Sequence, residues 1–77
     1  MKEVLEVMIK NLVQDGSESV SIEEIAQESE IKYEVRVNQK DMGRVIGKKG
    51  KIAQSIRTVM KAIAAKEDKK VIVEFID

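Results

Sequence analysis

The run Gly43-Arg44-Val45-Ile46-Gly47-Lys48-Lys49-Gly50-Lys51-Ile52 holds the densest concentration of chemistry in the chain. Two glycines bracket two lysines, a third lysine follows, and an apolar helical pattern starts directly afterward. Glycines let a backbone approach a bulky ligand and adopt dihedrals closed to other residues. A helix start leaves backbone N–H groups unpaired at the positive end of the helix dipole, so an anion is favoured there. Lys48, Lys49 and Lys51 place full positive charges at the same point. The pattern therefore suits a phosphate. A plain turn between two helices needs one glycine and has no use for three lysines among five residues. A nucleoside-triphosphate loop is excluded, because the pattern G-x-x-x-x-G-K-[ST] ending at Gly47-Lys48 needs glycine at Met42 and Ser or Thr at Lys49.

The balance of the remaining residues narrows the chemistry further. The net charge is zero, yet charge is segregated: residues 1–31 sum to −6, residues 32–70 to +8, and Glu74 and Asp77 restore neutrality. Between Asp41 and Glu67 stand seven basic side chains and no acid. A neutral protein of this kind can still turn a positive face to a polyanion. The chain has no Cys and no His, which removes thiolate chemistry, the commonest general base and the commonest metal ligand. Glu23, Glu24, Glu28 and Glu30 read as a solvated acidic rim, and no nucleophile and base share a recognisable spacing. Neither catalysis, nor a metal or other cofactor, nor a small-molecule substrate is expected. No apolar run is long enough to span a membrane, and Glu3, Glu6 and Lys10 interrupt any signal-peptide core, so a cytoplasmic protein is expected.

The elements that must hold this loop follow from periodicity. Val4, Leu5, Met8, Ile9, Leu12 and Val13 predict a helix over 2–14, stopped by Asp15 and Gly16. Residues 19–27 are ambiguous: Val20 and Ile22 alternate with serine, yet Ser21 and Glu24 fit a helix capping box. The clean alternation of Ile31, Tyr33, Val35 and Val37 needs a hairpin partner, so 19–27 is assigned to an edge strand. A short helix over Asp41–Val45 leads to the Gly47–Gly50 turn. Ile52, Ile56, Val59, Met60 and Ile63 then predict a helix from Lys51 to about Lys66. Val71, Val73 and Phe75 form a last strand, and Ile72 and Ile76 on its other face suggest burial on both sides at one end. The order α-β-β-α-α-β predicts an α+β sandwich: a three-stranded sheet with helices packed on one face, and the last strand parallel to the one over 31–38. At 77 residues one domain spans the chain, and about 60–65% of the unfolded surface is buried.

With that order in place, Val45-Ile46-Gly47-Lys48-Lys49-Gly50-Lys51-Ile52 resembles the KH signature: an apolar pair, G-x-x-G, and Ile on the following helix. The element order resembles the type II KH fold. Length and the tail pattern A-A-K-E…V-x-V-E are similar to the stand-alone bacterial single-KH RNA-binding proteins of the KhpA type. The resemblance covers 1–77 and implies a site for single-stranded RNA of about four nucleotides. By position, Gly47 and Gly50 would allow close approach, Lys48 and Lys49 would meet phosphates, and Arg44 and Lys51 would assist. Val45 would line the groove beside the loop, and Gln54 and Ser55 would reach bases or sugars. The groove floor is expected on the short helix, the next helix and the hairpin, with Ile46, Ile52 and Ile56 in the core. Tyr33 and Phe75 are the only aromatics and fit inward strand positions, so stacking on aromatic rings is not expected and sequence selectivity should be weak.

Two other readings compete. Thr58, Val59, Ala62, Ile63 and Ala65 are small or apolar over more than one helix face, as a protein-interaction module would require. The resemblance also implies self-pairing or pairing with another KH-containing protein. Nothing in the sequence visibly reads a 2′-hydroxyl, so single-stranded DNA stays open beside RNA.

Overall fold

The computed structural model describes residues 1–13 and 20–76. Helix α1 (Lys2–Leu12) buries Leu5 and Ile9, the centre of its apolar stripe, and ends where Val13 turns extended (φ −87°, ψ 141°). The Asp15-Gly16 stop lies outside the described residues. Strands β1 (Ser21–Ala26) and β2 (Glu30–Arg36) form an antiparallel hairpin, with Ile22 opposite Val35 and Glu24 opposite Tyr33. After β2 come α2 (Gln39–Ile46), a single 3₁₀ turn (Lys48–Gly50), α3 (Lys51–Lys66) and β3 (Lys70–Ile76). Strand β3 returns parallel to β2, Val73 beside Tyr33, in a sheet of order β1-β2-β3. The α+β order expected from the sequence is the one observed.

One face of the sheet carries the core. Ile31, Tyr33, Val35, Val71 and Val73 point inward onto Leu5, Ile9, Met42, Val45, Ile56, Met60 and Ala64. Each fully buried aliphatic side chain contributes about 1.5–3 kcal/mol relative to exposure. Ile56 is buried as expected, and Ile46 and Ile52 pack half-buried against the cluster. Among the described residues, no element covers the opposite face. Lys32 pairs there with Glu34 and Glu74 at 3.6 and 3.4 Å, and Arg36 with Glu23 and Glu34 at 3.9 Å. The expectation that Ile72 and Ile76 are buried is therefore corrected: Ile72 is 39% exposed beside Lys32, and Ile76 is half-buried.

Helix α2 is longer than the Asp41–Val45 segment expected, because Asn38 accepts from the amides of Asp41 and Met42 at 2.9 and 3.0 Å through its backbone carbonyl. The helix-or-strand ambiguity of residues 21–26 is resolved by pairing. Tyr33, fully buried, donates its hydroxyl to Glu24 Oε1 across the hairpin at 2.8 Å. A capping box at Ser21 would have left that phenol without this acceptor.

Burial, and then the Glu24 carboxylate, push the Tyr33 phenol well above its ordinary 10.0. The unfolded chain, with an ordinary phenol, loses its proton first. This contribution is thus fully present below pH 10 and is lost as pH rises above it. Tyr33 is the only tyrosine, so phenolate absorbance reports it alone. We expect ionisation of Tyr33 to coincide with alkaline unfolding, and Tyr33→Phe to cost about 1–2 kcal/mol at neutral pH in a denaturant titration.

Candidate nucleic-acid interface

Glycine at position 47 is required twice over. Its backbone (φ 78°, ψ 175°) lies in a region essentially confined to glycine, and an added Cβ would stand 2.6 Å from Ile52 Cγ1. The missing side chain makes room for Ile52, not for a ligand. Gly50 needs only its left-handed dihedrals (φ 72°, ψ 16°), with open space where a Cβ would go. Lys49 between them is also left-handed (φ 56°, ψ 25°).

This geometry exposes donors. Gly47 N–H bonds the Gly43 carbonyl at 2.9 Å and Gly50 N–H the Gly47 carbonyl at 3.2 Å. Among the described residues, the amides of Lys48 and Lys49 have no backbone acceptor. Consecutive unpaired N–H groups in a turn form a concavity suited to an anion, and α3 begins directly behind it. Lys48, Lys49 and Lys51 are exposed, and none of them enters an ion pair among the described residues. Among the described residues, the acids that form ion pairs engage the amino terminus, Lys10, Lys32, Arg36 and, at 4.0 Å, Arg44 through Asp41. The loop's charge is uncommitted.

From the loop, α3 runs beside the open edge of β3. Gln54, Arg57 and Lys61 recur at three and four residues along one stripe of α3, and Arg57 and Lys61 face that strand. Arg57, Lys61, Val71, Ile72 and Val73 line a cleft of about 210 Å³ between them. Arg57 Nε donates to the Val73 carbonyl at 3.1 Å, and its guanidinium lies 5.3 Å from the centre of the Phe75 ring.

Of the residues expected at the site, Gly47, Lys48, Lys49, Gly50 and Lys51 come together, with Arg44 one turn back on α2 and Gln54 one turn into α3. Val45 does not join them, and Ser55 stands between two surfaces. Val45 is completely buried in the core and has no surface to offer. Ser55 is rotated about 100° from Gln54. Its hydroxyl donates to the Lys51 carbonyl at 3.0 Å, and it lines both an open cleft with Lys51 and Gln54 and an apolar one with Met8, Leu12 and Ile52 on the α1 side. The cleft beside the open edge of the sheet has α3 and β3 as its walls, and β1 lies at the opposite edge. Arg57 and Lys61 were not singled out from the sequence, although their spacing from Gln54 is a readable signal.

A family model for the KhpA/KhpB KH domain matches residues 2–75. The chain belongs to this family. The loop described above is thus the KH G-x-x-G loop. Among curated relatives, the RNA-binding protein KhpA of Clostridium perfringens is 53% identical over 76 residues, covering 99% of this chain and 100% of the relative. That of Listeria monocytogenes is 42% identical over 77 residues, covering both chains completely. That of Aquifex aeolicus is 38% identical, covering 100% of this chain and 96% of the relative. These relatives are named for binding RNA, not for catalysis. No solved structure matches the chain significantly.

The two KH-loop glycines should separate in a stability measurement. Gly47→Ala combines forbidden dihedrals with a clash on Ile52 and should cost about 3 kcal/mol. Gly50→Ala carries only left-handed strain, about 1 kcal/mol. Equal losses in urea denaturation would contradict the packing role given to Gly47.

Proposed function

We propose that this protein binds single-stranded RNA, with Lys48 and Lys49 holding the sugar-phosphate backbone at the G-x-x-G loop and the strand running on along α3. The observation that carries this reading is the pair of unpaired amides at Lys48 and Lys49, set among three uncommitted lysines at the start of α3. Membership of a family whose curated relatives are RNA-binding proteins supports RNA as the polyanion. Gly47 and Gly50 shape the loop, Arg44, Lys51 and Gln54 flank it, and one KH domain spans 1–77. About four nucleotides and two to four phosphates make a small site, so affinity is modest and falls with salt.

Pairing would offset that small site by placing two loops on one strand. Val59, 42% exposed on α3 beside Ala62, supports self-association or pairing with another KH-containing protein on the side of α3 away from β3. A cytoplasmic location accords with this reading. Among the described residues no helix is long and apolar enough to cross a membrane.

The test is titration of labelled single-stranded RNA, with matched DNA and duplex controls, into wild type and Lys48→Asp/Lys49→Asp. Both lysines are exposed, and Asp tolerates the left-handed backbone at 49, so the variant should stay folded by circular dichroism. We expect binding to wild type to weaken with salt, and the variant to lose it while keeping its oligomeric state. Equal binding by the two proteins would remove the loop from the site.

A further inference from the structure

We infer that the strand is held at a second place, beyond the site for about four nucleotides: Lys61, Lys69 and Lys70 receive the phosphates of the RNA where it runs on past the α3–β3 cleft to the start of β3. This rests on the RNA-binding reading above and gives it a longer footprint. The G-x-x-G loop lies at one end of α3 and this group toward the other. From Gly50 to Lys61 the helix rises about 16 Å, which puts the second group out of reach of the loop lysines. The cleft of about 210 Å³ beside Arg57 is continued by one of about 330 Å³ lined by Glu30, Lys69 and Lys70, and Lys61, Val71 and Ile72 belong to both. A strand leaving the first cleft therefore has a connected path into the second.

The charge of this second cleft is open to a ligand. Lys61, Lys69 and Lys70 are exposed, and none of them enters an ion pair among the described residues. Glu30 stands opposite Lys70 in the sheet register and lines the same cleft, yet these two make no ion pair either. Glu67 and Asp68, in the preceding turn, do not line it. The lysines are also well placed: Lys69 N–H bonds the Ala64 carbonyl at 3.0 Å and Lys70 N–H the Ser29 carbonyl at 2.9 Å, so the backbone is fixed while both side chains stay free. Complementing the helix dipole would account for Lys66 in the last turn of α3, but not for lysines beyond the turn. Ile72 supplies the apolar part. It is 39% exposed in this cleft, and a base laid over it would remove that surface from water while its phosphate meets the lysines.

The experiment titrates uridine tracts about four and about eight nucleotides long into the whole chain, at several salt concentrations. Wild type is compared with Lys69→Gln/Lys70→Gln and with Lys2→Gln/Lys10→Gln, which removes the same charge from α1. Longer tracts bind more tightly in any case because they offer more registers, but register number leaves the salt slope unchanged. Two further phosphates should make the slope of log K against log salt steeper by about 1.4 for the long tract than for the short one in wild type. Lys69→Gln/Lys70→Gln should lose that difference and bind the long tract about fivefold more weakly, with the short tract unaffected. The α1 variant should match wild type on both. Equal slopes for the two tracts in wild type overturn the inference and leave the RNA-binding reading standing. So does a Lys69→Gln/Lys70→Gln variant that keeps wild-type affinity for the long tract, weakens both tracts alike, or is matched by the α1 variant. If wild type binds neither tract, the RNA-binding reading fails and the inference with it.

Discussion

Everything at the proposed interface depends on how closely α2 can turn into α3. The chain leaves α2 at Gly47 with dihedrals open in practice to glycine alone, and it passes so near Ile52 that a single methyl group would overlap that side chain. This contact anchors the loop to the first turn of α3. It also forces Lys48 and Lys49 out to the tip, where their amides lose helical partners. The same constraint that makes the turn tight thereby leaves two neighbouring amides open to an anion. Glycine here serves packing first, and ligand approach follows from the geometry it permits.

A second constraint comes from the sheet. Strand β3 lies at an edge, and an open edge carries unpaired backbone groups that invite another strand. Arg57 caps one of these carbonyls from α3 and shelters Phe75 under its guanidinium. One side chain thus couples helix to strand and shapes the wall of the cleft. Strand alternation sets Glu23, Glu34 and Glu74 on the far face of the sheet, where they pair with Lys32 and Arg36. Zero net charge is therefore compatible with a locally positive surface.

The sequence made the element order, the parallel return of β3 and the chemistry of the loop legible, because each rests on local signals: periodicity, glycine spacing and the start of a helix. It also led to the correct strand assignment at 21–26, where the reasoning relied on the neighbouring strand's need for a partner more than on propensity. What it did not reveal depends on three-dimensional juxtaposition. Val45 sits beside the loop in sequence, yet faces inward because the apolar face of α2 must cover the sheet. Ser55 shares one open cleft with Lys51 and Gln54, and a residue of helical rotation also brings it to the apolar cleft beside α1. Ile72 looked like a buried residue, but burial needs a covering element, and the order of helices leaves that face bare. Arg57 was hidden because its partner is a backbone carbonyl, which no side-chain pattern marks.

The central claim is that one continuous surface, from the tip of the Gly47–Gly50 turn along α3 to the edge of β3, receives the nucleic acid. Amide chemical shifts of the isotope-labelled chain, followed while single-stranded RNA is added, test it residue by residue. The account predicts the largest changes at Lys48, Lys49 and Gly50, continuing through Gln54 and Arg57 to Val73, with Met8, Asn11 and Leu12 unmoved. Changes concentrated on the β1–β2 hairpin or in the cleft between α1 and α3, with the loop amides silent, would contradict it.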